Sequence, residues 1–251
     1  MPPRYGKLDL DASIRSAPII DGFGTAPWTL KGCRWLEFRY EIDDEPADAL
    51  LPPALHPAMP AYATFTIAHF PQSPVGPFSL GEIRVVGRAG GRPAAFSVGG
   101  FCDSAAARSE LAAGWGYKLA EAQLRLDARH YEVSAEVTAG TRTILKLVLR
   151  DRKSLAATHL QPLPGMNLAR NQQNDAAVLV QVDIEAAFVQ SDGGTIASLR
   201  FDRDAFAIGH SLRLMNPMGS AFAAADVTLG RIQIVCDPAQ PAETGTSFID
   251  H

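Results

Sequence analysis

In the stretch Trp35-Leu36-Glu37-Phe38-Arg39-Tyr40-Glu41-Ile42, charged Glu37, Arg39 and Glu41 alternate with apolar Leu36, Phe38, Tyr40 and Ile42. A period of two is the signature of a strand with two different faces. The next ordered stretch, Tyr62 to Phe70, is β-branched and aromatic, with Thr64, Thr66 and Ala68 set between larger apolar residues, and also reads as a strand. Further strands are predicted over 82–87, 94–101, 118–126, 130–138, 143–149, 178–184, 196–201 and 226–236. Turn chemistry separates them, as at Gly90-Gly91-Arg92-Pro93, Ala139-Gly140 and Asp192-Gly193-Gly194. Many short strands at close spacing predict a mainly β chain, a largely antiparallel sheet or barrel.

Few helices are expected. The best is Asp103-Ser104-Ala105-Ala106-Ala107-Arg108-Ser109-Glu110-Leu111-Ala112-Ala113, with Asp103 or Ser104 as N-cap and Gly114 as the C-terminal stop. Weaker helical patterns cover 45–51 and 202–208. The 160–175 segment, punctuated by proline and glycine, reads as a loop crossing. Residues 1–30 read as an N-terminal arm of a single domain spanning 1–251.

Composition removes several classes. The 251 residues carry a net charge of −4, and no basic run is present, so the footprint of a nucleic-acid binder is missing. No membrane partner is expected either, because no apolar run is long enough to span a bilayer and the N-terminal stretch has no apolar core. Cys33, Cys102 and Cys236 are odd in number and widely spaced, which suits a reducing compartment and leads to a cytoplasmic expectation. The six histidines are dispersed without ligand spacing, and no nucleotide fingerprint occurs, so neither metal nor cofactor is expected.

Only five residues are lysine, against 18 arginines. Lys7, Lys31, Lys146 and Lys153 read as solvated charge. Lys118 follows Gly114-Trp115-Gly116-Tyr117 directly after the helix. One reading packs its stem on the aromatics while the ammonium reaches water. The other makes it an amine nucleophile for a Schiff base, which requires the neutral amine and hence a depressed pKa.

Glu110-Leu111-Ala112-Ala113-Gly114-Trp115-Gly116-Tyr117-Lys118-Leu119 resembles the active-site segment of the acetoacetate decarboxylase family, in which a short helix leads through an aromatic to Pro-Lys-Lys. The likeness extends to Cys33-Arg34-Trp35-Leu36-Glu37-Phe38-Arg39-Tyr40, to Leu51-Pro52-Pro53, to Gly76-Pro77-Phe78-Ser79 and to Ala225-Asp226-Val227-Thr228-Leu229. It implies a cone-like antiparallel β-barrel with flanking strands, a homo-oligomer supported by the apolar 222–225 stretch, and a cofactor-free lyase acting on a small keto acid. It also implies Lys118 as Schiff base, with Glu82 or Tyr117 as proton carrier. Arg34, Trp115, Thr66, Phe78 and Gln72 would form the substrate pocket, Arg34 matching the family's pocket arginine.

The departures open alternatives. The family's first pocket glutamate falls at about Thr66, and the lysine pair is reduced to Tyr117-Lys118. Aligned through Leu119, Tyr117 occupies the nucleophile's place; aligned through the helix, Lys118 does. Glu82 lies near the second pocket glutamate, and a surface strand position accounts for it equally well. The reactions open to an imine here are decarboxylation, aldol addition, dehydration or hydration. The competing reading is a barrel that has lost the lysine pair and serves as a non-catalytic ligand-binding or structural module.

Overall fold

Three strands, β2 (Trp28–Ile42), β4 (Tyr62–Phe70) and β5 (Phe78–Ala89), lie side by side and carry both the core and the pocket. They follow α1 (Leu10–Arg15) and β1 (Ile19–Ile20) and are interleaved with α2 (Asp44–Leu50) and β3 (His56–Pro57). After them come β6 (Arg92–Cys102), α3 (Ala105–Trp115), β7 (Leu119–Glu121), β8 (Gln123–Ala128), β9 (Glu132–Ala139), β10 (Arg142–Ser154), β11 (Gly165–Asn171), β12 (Ala177–Phe201) and β13 (Leu214–Cys236). This is a computed structural model that describes residues 4–21, 24–156, 160, 162–206 and 212–241.

The chain is mainly β, as the sequence predicts. Its strands form one 13-stranded sheet in the order β1-β11-β6-β5-β4-β2-β13-β12-β10-β9-β8, and the additional β11–β12 pairing closes part of it into a barrel-like ring. The sheet is mixed rather than antiparallel throughout, because β1–β11, β6–β11 and β6–β7 run parallel.

That closure corrects the reading of 160–175 as a loop. Residues 165–171 form β11, which pairs β12 on one side and β6 on the other. With neighbours on both edges its backbone is fully engaged, so the segment needs no strong side-chain periodicity to be a strand. Asp192-Gly193-Gly194 is likewise no turn but lies inside β12, where an ideal Cβ on Gly194 would sit 2.5 Å from the Arg150 carbonyl oxygen. There the strand exchanges β13 for β10 as neighbour, and the glycines permit the close approach. Residues 202–206 form no helix, and the rest of the 202–208 expectation lies outside the described residues.

Beyond the ring, β10, β9 and β8 fold over the outside of β2, β4 and β5. Leu36, Phe38, Phe65, Ile67, Ile83 and Val85 share one core with Val133, Ala135, Val137, Leu145, Leu147 and Leu149. Along these residues one face of the central strands is thereby buried against apolar side chains. Gly81 is fitted to this contact, since an ideal Cβ there would lie 2.6 Å from Val137 Cγ2 and 3.2 Å from Leu124 Cδ2. Gly81→Ala should therefore destabilise the chain by about 1–3 kcal/mol through overpacking, read as a lowered midpoint in urea unfolding with an unchanged slope.

Candidate functional site

The opposite face of the same strands lines an interior pocket. Trp35, Glu37 and Arg39 reach it from β2; Thr64, Thr66, Ala68 and Phe70 from β4; Phe78, Leu80, Glu82 and Arg84 from β5. Register stacks these side chains in rows across the strands. Glu37, Thr66 and Glu82 are successive partners, as are Arg39, Thr64 and Arg84. Glu-x-Arg thus occurs twice, on the two strands that flank β4. Each glutamate holds the arginine two residues on: Arg39 Nε donates to Glu37 Oε1 at 2.7 Å, and Arg84 Nη2 lies 2.7 Å from Glu82 Oε1.

Tyr117 completes the polar end. Its delivery depends on the end of α3, which Ser104 caps by accepting from the Ala107 N–H. The helix runs to Trp115 instead of stopping at Gly114, because Gly116 adopts the left-handed conformation at φ 70° and its N–H donates to the Ala112 carbonyl. Asn167 Nδ2 on β11 donates to the Trp115 carbonyl at 2.8 Å and ties this helix end to the ring. An ideal Cβ on Gly116 would lie 3.0 Å from Ala169 Cβ, so both conformation and space call for glycine. Reversed there, the chain turns Tyr117 into the pocket and Lys118 outward.

The phenol is 4% exposed, and its oxygen accepts from Arg84 Nη2 at 3.3 Å. Burial pushes its pKa up to about 12; Arg84 works against that rise and Glu82 adds to it. Arg84 itself loses hydration, yet the charges of Glu82 and Glu37 hold its pKa above the ordinary guanidinium value. Two buried atoms here lack a hydrogen-bond partner, Glu82 Oε2 and Arg84 Nε. A protonated phenol with its proton to give thus stands beside a carboxylate with an oxygen to accept one.

The structure brings Glu82, Tyr117, Thr66 and Phe78 together on the pocket and leaves the other expected residues off it. Lys118 is exposed and donates from Nζ to Ser16 Oγ at 2.8 Å; a pocket lysine has no counterpart among the lining residues. Arg34 is exposed, beside His69 and opposite in direction to its pocket-lining neighbour Trp35. Trp115 is wholly buried in a second core, edge-on to Trp28 with ring centroids 5.0 Å apart, its Nε1 donating to the Gly230 carbonyl at 2.7 Å. Gln72 is exposed and bridged to Lys31.

Glu37, Arg39, Thr64 and Arg84 are polar lining residues that the sequence reading passed over. Their signal was the repeated Glu-x-Arg, Glu37-Phe38-Arg39 and Glu82-Ile83-Arg84. The carboxylate lacking at Thr66 stands on the next strand: Glu37 is the cross-strand partner of Thr66, whose Oγ1 donates to Glu37 Oε2 at 3.5 Å. Among the described residues no cluster of potential metal ligands occurs and no helix is long and apolar enough to cross a membrane.

A family model described as acetoacetate decarboxylase matches residues 17–238. Among solved structures, an acetoacetate decarboxylase from Legionella pneumophila is 19% identical, with 85% of this chain and 88% of that one covered at a TM-score of 0.76. The enduracididine biosynthesis enzyme MppR, complexed with pyruvate, is 16% identical at a TM-score of 0.70, covering 85% and 92%. An acetoacetate decarboxylase-like enzyme from Sphingomonas wittichii RW1 is 14% identical at 0.68, covering 84% and 94%. No curated protein matches the chain.

The Tyr117 environment sets a pH dependence. A tyrosine whose folded pKa is about 12, against 10.0 ordinarily, favours its neutral form in the fold. That contribution is complete below about pH 10 and is lost as pH rises through about 12. Comparing urea stability of the parent and Tyr117→Phe across this range should show the parent losing more stability on the alkaline side, and an equal loss in both would contradict the assignment.

Proposed function

Since the chain belongs to the acetoacetate decarboxylase family, we propose that it is a lyase for a small oxo acid, working in the Glu-x-Arg pocket through Tyr117 and Glu82 and without an imine on Lys118. One observation carries this reading: the phenol of Tyr117 and Oε1 of Glu82 meet the same buried guanidinium, that of Arg84, which leaves Glu82 Oε2 without a partner.

An oxo acid presents a carboxylate and a carbonyl. Arg39 and Arg84, one row apart from the two glutamates, supply donors for the carboxylate. Tyr117 O–H then donates to the carbonyl oxygen, and its own oxygen is held by Arg84 Nη2, which strengthens the phenol as a donor. Glu82 Oε2 removes the proton from the carbon next to that carbonyl, giving an enolate whose oxygen accepts the Tyr117 hydrogen bond. Collapse of the enolate expels a group from the adjacent carbon, and the proton now on Glu82 passes to the leaving group. The same enolate, attacking an aldehyde instead, forms a carbon–carbon bond while the Glu82 proton passes to the new alkoxide, so elimination and carbon–carbon bond chemistry share one intermediate. Burial of the Glu82–Arg84 pair keeps water from competing for these protons.

Proton exchange at the carbon beside the carbonyl isolates the first step. In deuterated water, followed by NMR, the protein should exchange the C3 protons of pyruvate or phenylpyruvate faster than buffer. Tyr117→Phe and Glu82→Gln should each slow this by about 10²–10⁴-fold, while Lys118→Ala leaves it within about twofold. Borohydride with either acid should leave Lys118 unmodified in the intact mass. Loss of exchange in Lys118→Ala, or a reduced adduct on Lys118, would return the reaction to the imine. Binding without exchange would identify a ligand-binding barrel.

A further inference from the structure

The polar end occupies only one part of the pocket. Beyond the glutamate row, the next row is Trp35, Ala68 and Leu80, and after it Phe70 faces Phe78, the two rings stacked with centroids 4.6 Å apart. The far wall is equally apolar, formed by Ile184 and Phe188 of β12 and Val227 and Leu229 of β13. Trp35 and Phe188 meet at 5.7 Å with their rings inclined by 57°. Among the described residues, ionised side chains in this lining are confined to the two Glu-x-Arg pairs.

Distance along the strand decides what fits. From Glu82 to Phe78 is four residues, about 13 Å at 3.3 Å per residue. A three-carbon oxo acid held at Arg84 and Tyr117 covers about one row, or about 7 Å, and leaves the apolar sleeve unused. Ala68 is the one small side chain in its row, 4% exposed and set between Trp35 and Leu80. It leaves a slot with an indole on one side and a branched aliphatic on the other, suited to a flat apolar group.

Resting on the reading of the polar end given above, we infer that the substrate is an oxo acid bearing an aromatic or similarly broad apolar group, seated over Ala68 between Trp35 and Leu80. Trp35, Ala68 and Leu80 then determine specificity, and the Glu-x-Arg pairs with Tyr117 determine the reaction. A short, hydrophilic oxo acid is a poor ligand because it gains only the polar contacts.

Calorimetric titration of the full chain with pyruvate and with phenylpyruvate tests this. Phenylpyruvate should bind about tenfold more tightly or better, a difference of about 1.4 kcal/mol per tenfold. Ala68→Leu fills the slot and should weaken phenylpyruvate by about tenfold or more while changing pyruvate by less than about threefold. If Ala68→Leu does not fold, Trp35→Ala removes the slot's other wall and should lower the preference for phenylpyruvate in the same way. Equal or tighter binding of pyruvate by the parent, or equal weakening of both acids in the variants, would overturn the inference. Failure of the polar-end reading looks different: Tyr117→Phe would leave proton exchange unchanged while the phenylpyruvate preference and its dependence on Ala68 persisted.

Discussion

Coverage of β2, β4 and β5 on both faces is the constraint on which the rest of the structure depends. One face packs its apolar residues against β8, β9 and β10. The other closes inside the ring, so any charge placed there is taken out of water. Four charges are placed there, and they persist because each arginine has a glutamate two residues before it on its own strand. An i, i+2 pair needs no register between strands to form, which makes the Glu-x-Arg unit a self-contained way to carry charge into a pocket. Register then sets the two units on either side of Thr64 and Thr66.

The same alternation explains how legible the fold was. Leu36, Phe38 and Ile42 mark a strand regardless of what covers the other side, so strand existence over 35–42 and 62–70 follows from the sequence. The destination of Glu37 and Arg39 does not, because a polar face in water and a polar face in a pocket have the same period. Only the repeat of the unit at Glu82-Ile83-Arg84 hints that the faces meet. Strand β11 was invisible for a different reason: it pairs β12 across a short connection, but its other partner β6 lies far away in sequence and its few residues carry no pattern of their own.

At the end of α3 a single residue separates two opposite assignments. Side chains on adjacent residues point to opposite sides of an extended chain, so Tyr117 and Lys118 cannot both enter the pocket, and the geometry of the helix stop decides which one does. The sequence offers two glycines, Gly114 and Gly116, and either is a suitable stop by type. Packing decides between them. Gly116 takes the left-handed conformation at φ 70°, its ideal Cβ would lie 3.0 Å from Ala169 and 3.3 Å from Val180, and Asn167 fastens the Trp115 carbonyl just before it. Ala169 and Asn167 belong to β11, the part of the ring that local pattern does not reveal.

This register also changes what the buried cation acts upon. An amine at the position of Tyr117 would feel Arg84 as a like charge, which favours the neutral, nucleophilic form. A phenol feels the same guanidinium as an opposite charge to its anion, and Arg84 accordingly pulls the Tyr117 pKa down against burial. In both cases the arginine favours the deprotonated side chain. For the amine that state is a nucleophile, whereas for the phenol the dominant effect of burial leaves a neutral O–H whose proton is better shared with a substrate oxygen. In the proposed function, tyrosine in this position, with Lys118 turned to Ser16, would replace covalent activation of a carbonyl by hydrogen bonding to it, and would shift the demand for acid–base work onto the carboxylate that shares the guanidinium, Glu82.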